Sequence, residues 1–147
     1  MKISVFGMGY VGVVSAACLA KDGHTVIGVD PNETKVQLIS SGRTPIIEEH
    51  LEEMISEAVA NGRITACMDP AAAVAESDIS LVCVGTPSQA NGSLDLTYVQ
   101  AVCEEIGRAL RDKDENHVVV MRSTMLPGSM HEVVLPSLSE SSGKTAG

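Results

Sequence analysis

The sequence predicts an α/β fold built on a doubly wound parallel sheet, and three observations carry that expectation. Apolar runs of strand length alternate with segments of helical periodicity almost from end to end, the pattern of parallel strands joined by right-handed crossovers. Most of the runs are continuously apolar, as strands covered on both faces require. The first run breaks into Gly7-Met8-Gly9-Tyr10-Val11-Gly12, a G-x-G-x-x-G turn that opens a helix and is followed by a strand ending on Asp30.

The elements follow in order. Met1–Phe6 is the first strand. The helix after it is expected to bury Val11, Val14, Ser15, Cys18 and Leu19 and to stop near Gly23. Val26–Val29 is the second strand, and Asn32 starts a short helix carrying Lys35, Val36 and Ile39 that closes at Gly42. Arg43–Ile47 is a loop. From His50 to Asn61, Leu51, Met54, Ile55, Ala58 and Val59 form one apolar stripe, leaving Glu52, Glu53 and Glu57 to solvent. Ile64–Met68 is a third strand. Asp69-Pro70 then starts an Ala-rich helix that runs to Glu76, a cap followed by a first-turn proline. Ile79–Val84 is a central strand that breaks at Gly85-Thr86-Pro87. After the Asn91-Gly92 turn, Asp95 is expected to cap a helix with Val99, Val102, Cys103, Ile106, Ala109 and Leu110 inward. Val118–Met121 is a fifth strand, followed by Arg122-Ser123-Thr124, one or two helical turns over about Ser129–Leu135, and a polar tail.

This arrangement is Rossmann-type, and its first turn has the chemistry of a dinucleotide site. Gly7 permits the tight turn, Gly9 lets the backbone approach a pyrophosphate, and Gly12 allows close packing of helix on sheet. The helix N-terminus offers free N–H groups and partial positive charge. Asp30, 18 residues beyond Gly12, stands where a carboxylate accepts hydrogen bonds from the adenosine ribose. It would repel a 2′-phosphate, so the expected cofactor is NAD rather than NADP. A Gly-rich turn with Asp30 as a plain helix cap is the competing explanation. Ligands bind such sheets beyond the carboxyl ends of the strands. The breaks at Gly7–Gly12, Gly85–Pro87 and Arg122–Thr124 should therefore converge on one crevice.

Composition narrows the partners. The formal charge of −9 and pI near 4.8 leave no basic footprint for nucleic acid or an anionic membrane. No apolar run approaches a membrane span, and Lys2 precedes only a strand-length run, so neither an anchor nor a signal peptide is expected. Cys18, Cys67, Cys83 and Cys103 lack metal-ligand spacing and are expected to be reduced, mostly buried thiols in a cytoplasmic protein.

Several longer motifs make the pattern more specific. They are Phe6-Gly7-Met8-Gly9-Tyr10-Val11-Gly12, Gly28-Val29-Asp30 with Lys35, Val84-Gly85-Thr86-Pro87, Asn91-Gly92-Ser93-Leu94-Asp95-Leu96 and Arg122-Ser123-Thr124-Met125-Leu126-Pro127-Gly128. In these the chain resembles, over essentially its whole length, the amino-terminal domain of the nucleotide-sugar 6-dehydrogenases that act on UDP-glucose or GDP-mannose. The last motif, together with Ser142-Gly143-Lys144, is most similar to the GDP-mannose branch of alginate synthesis. The resemblance implies cofactor contacts from Gly7, Gly9, Gly12, the backbone of Tyr10 and Val11, Asp30 at the adenosine ribose, and Lys35 beside that ribose or the adenine edge. It places Thr86 and Thr124 towards the nicotinamide. Local alternatives stand beside these roles: Tyr10 as a packing residue, Lys35 as a solvated helix lysine and Thr86 as a turn residue.

The implied reaction is a four-electron oxidation of the sugar C6 alcohol with two NAD, through a cysteine thiohemiacetal and thioester. Its Gly-Gly-x-Cys-type motif is absent here, and no cysteine of this chain is a plausible nucleophile: Cys83 falls in a core strand, Cys18 and Cys103 on inward helix faces, and Cys67 at a strand end without an activating neighbour. Residues 1–147 are thus expected to be the cofactor half of a homo-oligomeric enzyme, truncated before the last strand of its sheet and inactive alone. The dimerising helix and the domain that binds most of the nucleotide sugar would lie elsewhere. A β-hydroxyacid-type dehydrogenase and a non-catalytic NAD-sensing module are the alternatives.

Overall fold

A computed structural model describes residues 1–90 and 92–145. Asn91 of the predicted turn and the final Ala146-Gly147 lie outside the described residues. Five strands, β1 (Lys2–Phe6), β2 (Thr25–Val29), β3 (Ile64–Cys67), β4 (Ile79–Val82) and β5 (Val118–Met121), form one sheet of order β3-β2-β1-β4-β5. Every pairing is parallel, with Ile3 opposite Val26 on one side and Ile79 on the other. Helices α1 (Tyr10–Lys21), α2 (Glu33–Ser40) and α3 (Leu51–Ala60) belong to the first half of the chain. α4 (Pro70–Glu76), α5 (Thr97–Leu110) and α6 (Leu135–Ser142) belong to the second.

The two-residue period of the strands divides the core in two. Ile3, Val5 and Val26 join Val13, Ile39, Ile55 and Ile64 in one buried cluster. Phe6, Ile27, Val29 and Val82 join Val74, Val99, Ile106 and Leu138 in the other. The cap expected at Asp69 forms, its carboxylate accepting from Ala71 and Ala72 N–H, and Asn32, the expected helix start, caps α2 by accepting from Lys35 N–H. Asp95 instead stands one residue before the cap position of α5, its carboxylate accepting from the N–H and hydroxyl of Thr97.

Three expectations are corrected. The buried face of α1 is Gly12, Val13, Ala16, Ala17 and Ala20, while Val11 and Cys18 are exposed. The helix is apolar nearly all round, so periodicity could not select a face; the small residues win because they let the helix sit close to the sheet. The cysteines are correspondingly less buried than expected: Cys103 is buried, Cys67 and Cys83 are half-buried, and Cys83 lies just past the end of β4. Third, the polar tail is helical. A wide π-type turn over Met130–Val134 runs into α6, which continues to Ser142. Pro136, which has no N–H and crowds the preceding turn, accounts for the widening. The serines are not solvated: Ser137 and Ser142 are buried, and the hydroxyls of Ser137 and Ser141 donate back to the carbonyls of Val133 and Ser137. α6 rests on α5 at Gly107, where an added Cβ would come within 1.8 Å of Ser141 Oγ.

A buried polar chain crosses the opposite end of the sheet from the glycine turn. Ser4 and Ser80, cross-strand partners on β1 and β4, share a 2.8 Å hydrogen bond, and the Ser77 hydroxyl donates to Ser4 at 2.9 Å. Ser80 meets His117 Nε2 at 2.8 Å, and Lys113 Nζ lies 3.2 Å from His117 Nδ1. Nδ1 also lies 3.1 Å from the Ser77 carbonyl, which can only accept, so Nδ1 faces a donor and an acceptor at once and the network does not by itself fix the tautomer. Burial and the Lys113 charge lower the His117 pKa below the ordinary histidine value, against the weaker pull of the Ser77 carbonyl and Asp78. The unfolded chain therefore binds the extra proton first, and stability falls as pH drops through the unfolded value near 6.5 towards the lower folded one. Urea midpoints at pH 7.5 and 5.5 should diverge more for wild type than for His117→Gln; equal divergence would remove His117 from the acid response.

Candidate cofactor-binding site

The first glycine turn is built by backbone constraints. Gly7 has φ +91°, a left-handed geometry, and its N–H donates to Val29 O at 2.9 Å, tying the end of β1 to β2. Gly12 answers a closer constraint than helix-on-sheet packing: an added Cβ would lie 1.9 Å from the carbonyl oxygen of Gly7 itself. Gly9 is different, with nothing within 4 Å of where its Cβ would be, so its missing side chain leaves open space in front of the backbone. α1 starts there. Val13 N–H is the first to find an intrahelical acceptor, at Gly9 O, while those of Tyr10, Val11 and Gly12 have none among the described residues. No acid stands in the first turn. Free donors, an unopposed helix dipole and an open approach suit a diphosphate.

Asp30 is buried and almost fully engaged. Oδ2 accepts from Met8 N–H at 2.8 Å and from Lys35 Nζ at 3.0 Å, and Oδ1 accepts from Asn32 N–H at 2.9 Å. It is not the cap of α2; Asn32 is. A carboxylate has about four acceptor sites, so one remains for a ligand hydroxyl. Lys35 is not a free surface lysine, because its ammonium is held on Asp30. Asp30, Lys35, Gly7 and Gly9 line one cavity of about 380 Å³.

Other predicted residues fall around this crevice. Thr86 Oγ1 donates to Thr124 O at 2.8 Å, and Ser123 Oγ donates to Val84 O at 2.6 Å, so the breaks after β4 and β5 are bound together. The two threonines stand beside each other but outside the walls of the cavity. Tyr10 is 57% exposed and packs into nothing; its hydroxyl donates to Glu48 at 2.6 Å, and that bond and charge raise the phenol pKa. Val11 is part-exposed at the same helix end.

Sequence reasoning missed the far walls. They include Met68 and Pro70, after β3, and Tyr98, Ala101, Val102 and Glu105 of α5. Met68 and Pro70 were legible, since they follow the end of β3 just as Asp30 follows β2. The α5 residues largely lie off the apolar stripe and pass for a solvent face. Met8 was missed as well: its buried side chain fills the space over Gly28, where a Cβ would come within 2.8 Å of Met8 Cε.

Cys83 lines the cavity, yet burial pushes its thiol up to about 11 against a weaker opposing effect of Arg122. Cys103 is likewise pushed up to about 11 by burial. Both remain thiols at neutral pH and are poor nucleophiles. Among the described residues no cluster of three His, Cys, Asp or Glu could hold a metal, and no helix is long and apolar enough to cross a membrane.

Known proteins share this design. The model of the UDP-glucose/GDP-mannose dehydrogenase family, NAD binding domain, matches residues 1–147. GDP-mannose 6-dehydrogenase of Pseudomonas putida is 52% identical over all 147 residues, which span 34% of that protein. UDP-glucose 6-dehydrogenase of Haloferax volcanii is 37% identical over the same length, again 34% of the relative. The crystal structure of a ternary complex of GDP-mannose dehydrogenase from Pseudomonas aeruginosa superposes with a TM-score of 0.99 at 52% identity, covering 100% of this chain and 34% of that one. The chain thus spans about a third of the relatives it matches. With its glycine turn, its strand-end carboxylate and this whole-length match, the chain belongs to the UDP-glucose/GDP-mannose dehydrogenase family as an NAD-binding domain.

Proposed function

We propose that residues 1–147 are the cofactor half of a GDP-mannose 6-dehydrogenase, which oxidises the C6 alcohol of GDP-mannose to the carboxylate of GDP-mannuronate for alginate synthesis. The observation that carries the choice of sugar nucleotide is sequence identity, 50–52% to the GDP-mannose enzymes against 37–42% to the UDP-glucose enzymes. NAD supplies the chemistry of the site by accepting hydride, and two NAD and one water balance the four-electron change from alcohol to acid.

In this reading the N–H groups of Tyr10 and Val11, at the glycine turn, hold the pyrophosphate. Asp30 accepts from the adenosine ribose, Lys35 keeps Asp30 oriented, and Thr86 and Thr124 contact the nicotinamide half. The catalytic cysteine, the dimerising helix and most of the sugar-nucleotide contacts lie outside residues 1–147. The neutral thiols of Cys83 and Cys103 support that assignment. Residues 1–147 alone are then inactive, the complete enzyme is a homo-oligomer, and the four free cysteines support a cytoplasmic location.

Calorimetric titration tests the cofactor half. One-site NAD binding is expected, with NADP at least about tenfold weaker because its 2′-phosphate would meet the buried Asp30 carboxylate. NADP binding as tightly as NAD would overturn this reading. For the complete protein, turnover of GDP-mannose should far exceed that of UDP-glucose; the reverse would reassign the substrate.

A further inference from the structure

We infer that Glu105 is a specificity residue that reads the exocyclic amine of the cofactor's adenine. The inference rests on the NAD reading of the crevice and goes beyond it. Asp30 marks where the ribose binds, and a base bonded to that ribose must occupy the cavity space next to it. Pro31, Met68 and Pro70 line that space together with Ala101 and Val102 of α5, apolar walls suited to a planar ring.

Tyr98, Ala101, Val102 and Glu105 recur at i, i+3, i+4 and i+7, so one face of α5 lines the cavity. Of the charged groups in the cavity, Asp30 and Lys35 hold each other at 3.0 Å. Glu105 is only partly exposed and has no hydrogen-bond or ion-pair partner among the described residues. Its neighbour Glu104, by contrast, is engaged by Gln100 at 3.0 Å and Arg108 at 3.9 Å. An ionised carboxylate only accepts hydrogen bonds. On the exposed edges of adenine the 6-amino group is the donor and the ring nitrogens are acceptors. The amine is therefore the group Glu105 can take, whereas a base with a carbonyl oxygen at that position would face it acceptor to acceptor there and carry its donor, N1–H, one ring atom away. Tyr98, whose hydroxyl can donate or accept, does not discriminate between the two bases.

The test compares NAD with nicotinamide hypoxanthine dinucleotide, in which the 6-amino group is a carbonyl, by titrating the full-length protein. Wild type should favour NAD by about tenfold, the scale of one partly exposed hydrogen bond to a charged group. In Glu105→Gln the amide can donate to the carbonyl, and the preference should fall to about twofold or less with an unchanged thermal melt. Glu105→Ala, a second variant, should also lose most of the preference. Equal binding of the two dinucleotides by wild type, or an undiminished preference in both variants, would overturn the inference. Failure of wild type to bind either dinucleotide would reject the NAD reading and the inference with it.

Discussion

Replacing Gly12 by alanine should destabilise the domain by about 3 kcal/mol, the upper end of what overpacking costs, and abolish NAD binding. The added methyl would sit 1.9 Å from the oxygen and 3.0 Å from the carbon of the Gly7 carbonyl. Both are backbone atoms, so no side chain can rotate away, and relief requires moving α1 off the turn that starts it. Gly9→Ala makes the diagnostic contrast. Its methyl meets nothing within 4 Å and its backbone has an ordinary φ of −89°, so the fold should hold while NAD affinity drops sharply. Urea unfolding beside NAD titration separates the two. Equal stability of Gly12→Ala and wild type would mean that the turn is far softer than its geometry implies.

Asp30→Ala should lower stability by about 3 kcal/mol and weaken NAD binding by more than an order of magnitude. The carboxylate satisfies Met8 N–H, Asn32 N–H and the Lys35 ammonium together, and Met8 is buried under the turn. Alanine leaves all three without that partner and removes the group that repels a 2′-phosphate, so the gap between NAD and NADP should also narrow. Lys35→Met tests the division of labour. It leaves both backbone bonds to Asp30 intact, and because Lys35 is about a third exposed the loss should stay near 1 kcal/mol. A Lys35→Met loss as large as that of Asp30→Ala would shift the main role from the backbone clamp to the ion pair.

Legibility in the sequence followed the strength of local constraint. The strands, the helix start at Asn32, the cap at Asp69 and the glycine turn were readable because each is set by a few adjacent residues: a continuous apolar run, an oxygen before a helix, a position that only glycine fits. The buried face of α1 was not, since a helix apolar all round offers no contrast and the decision fell to side-chain size against the sheet. α6 was hidden by its composition. Ser137, Ser139, Ser141 and Ser142 resemble a solvated tail until α5 supplies a surface and the helix backbone supplies acceptors. At the site, Gly7, Gly9, Asp30 and Lys35 line one cavity, while Gly12 stays behind its wall, against the Gly7 carbonyl. The wall from α5 was illegible because Ala101 and Glu105 belong to a helix whose inward stripe points elsewhere, and only the sheet order brings that flank to the same cavity as Met68.

The order β3-β2-β1-β4-β5 has a consequence for how the chain is made. β1 is the middle strand, and one of its edges is closed by Ile79–Val82, some 75 residues later. At about 5–20 residues per second, a ribosome leaves that central edge unpaired for roughly 4–15 s after β1 is synthesised. The nascent first half can join β1 to β2 and β3, but it carries an open, apolar strand edge until β4 emerges, the interval in which β1 is most exposed to mispairing. The glycine turn belongs to that early half, whereas the α5 wall emerges only after β4, so the crevice is among the last features of the domain to be completed.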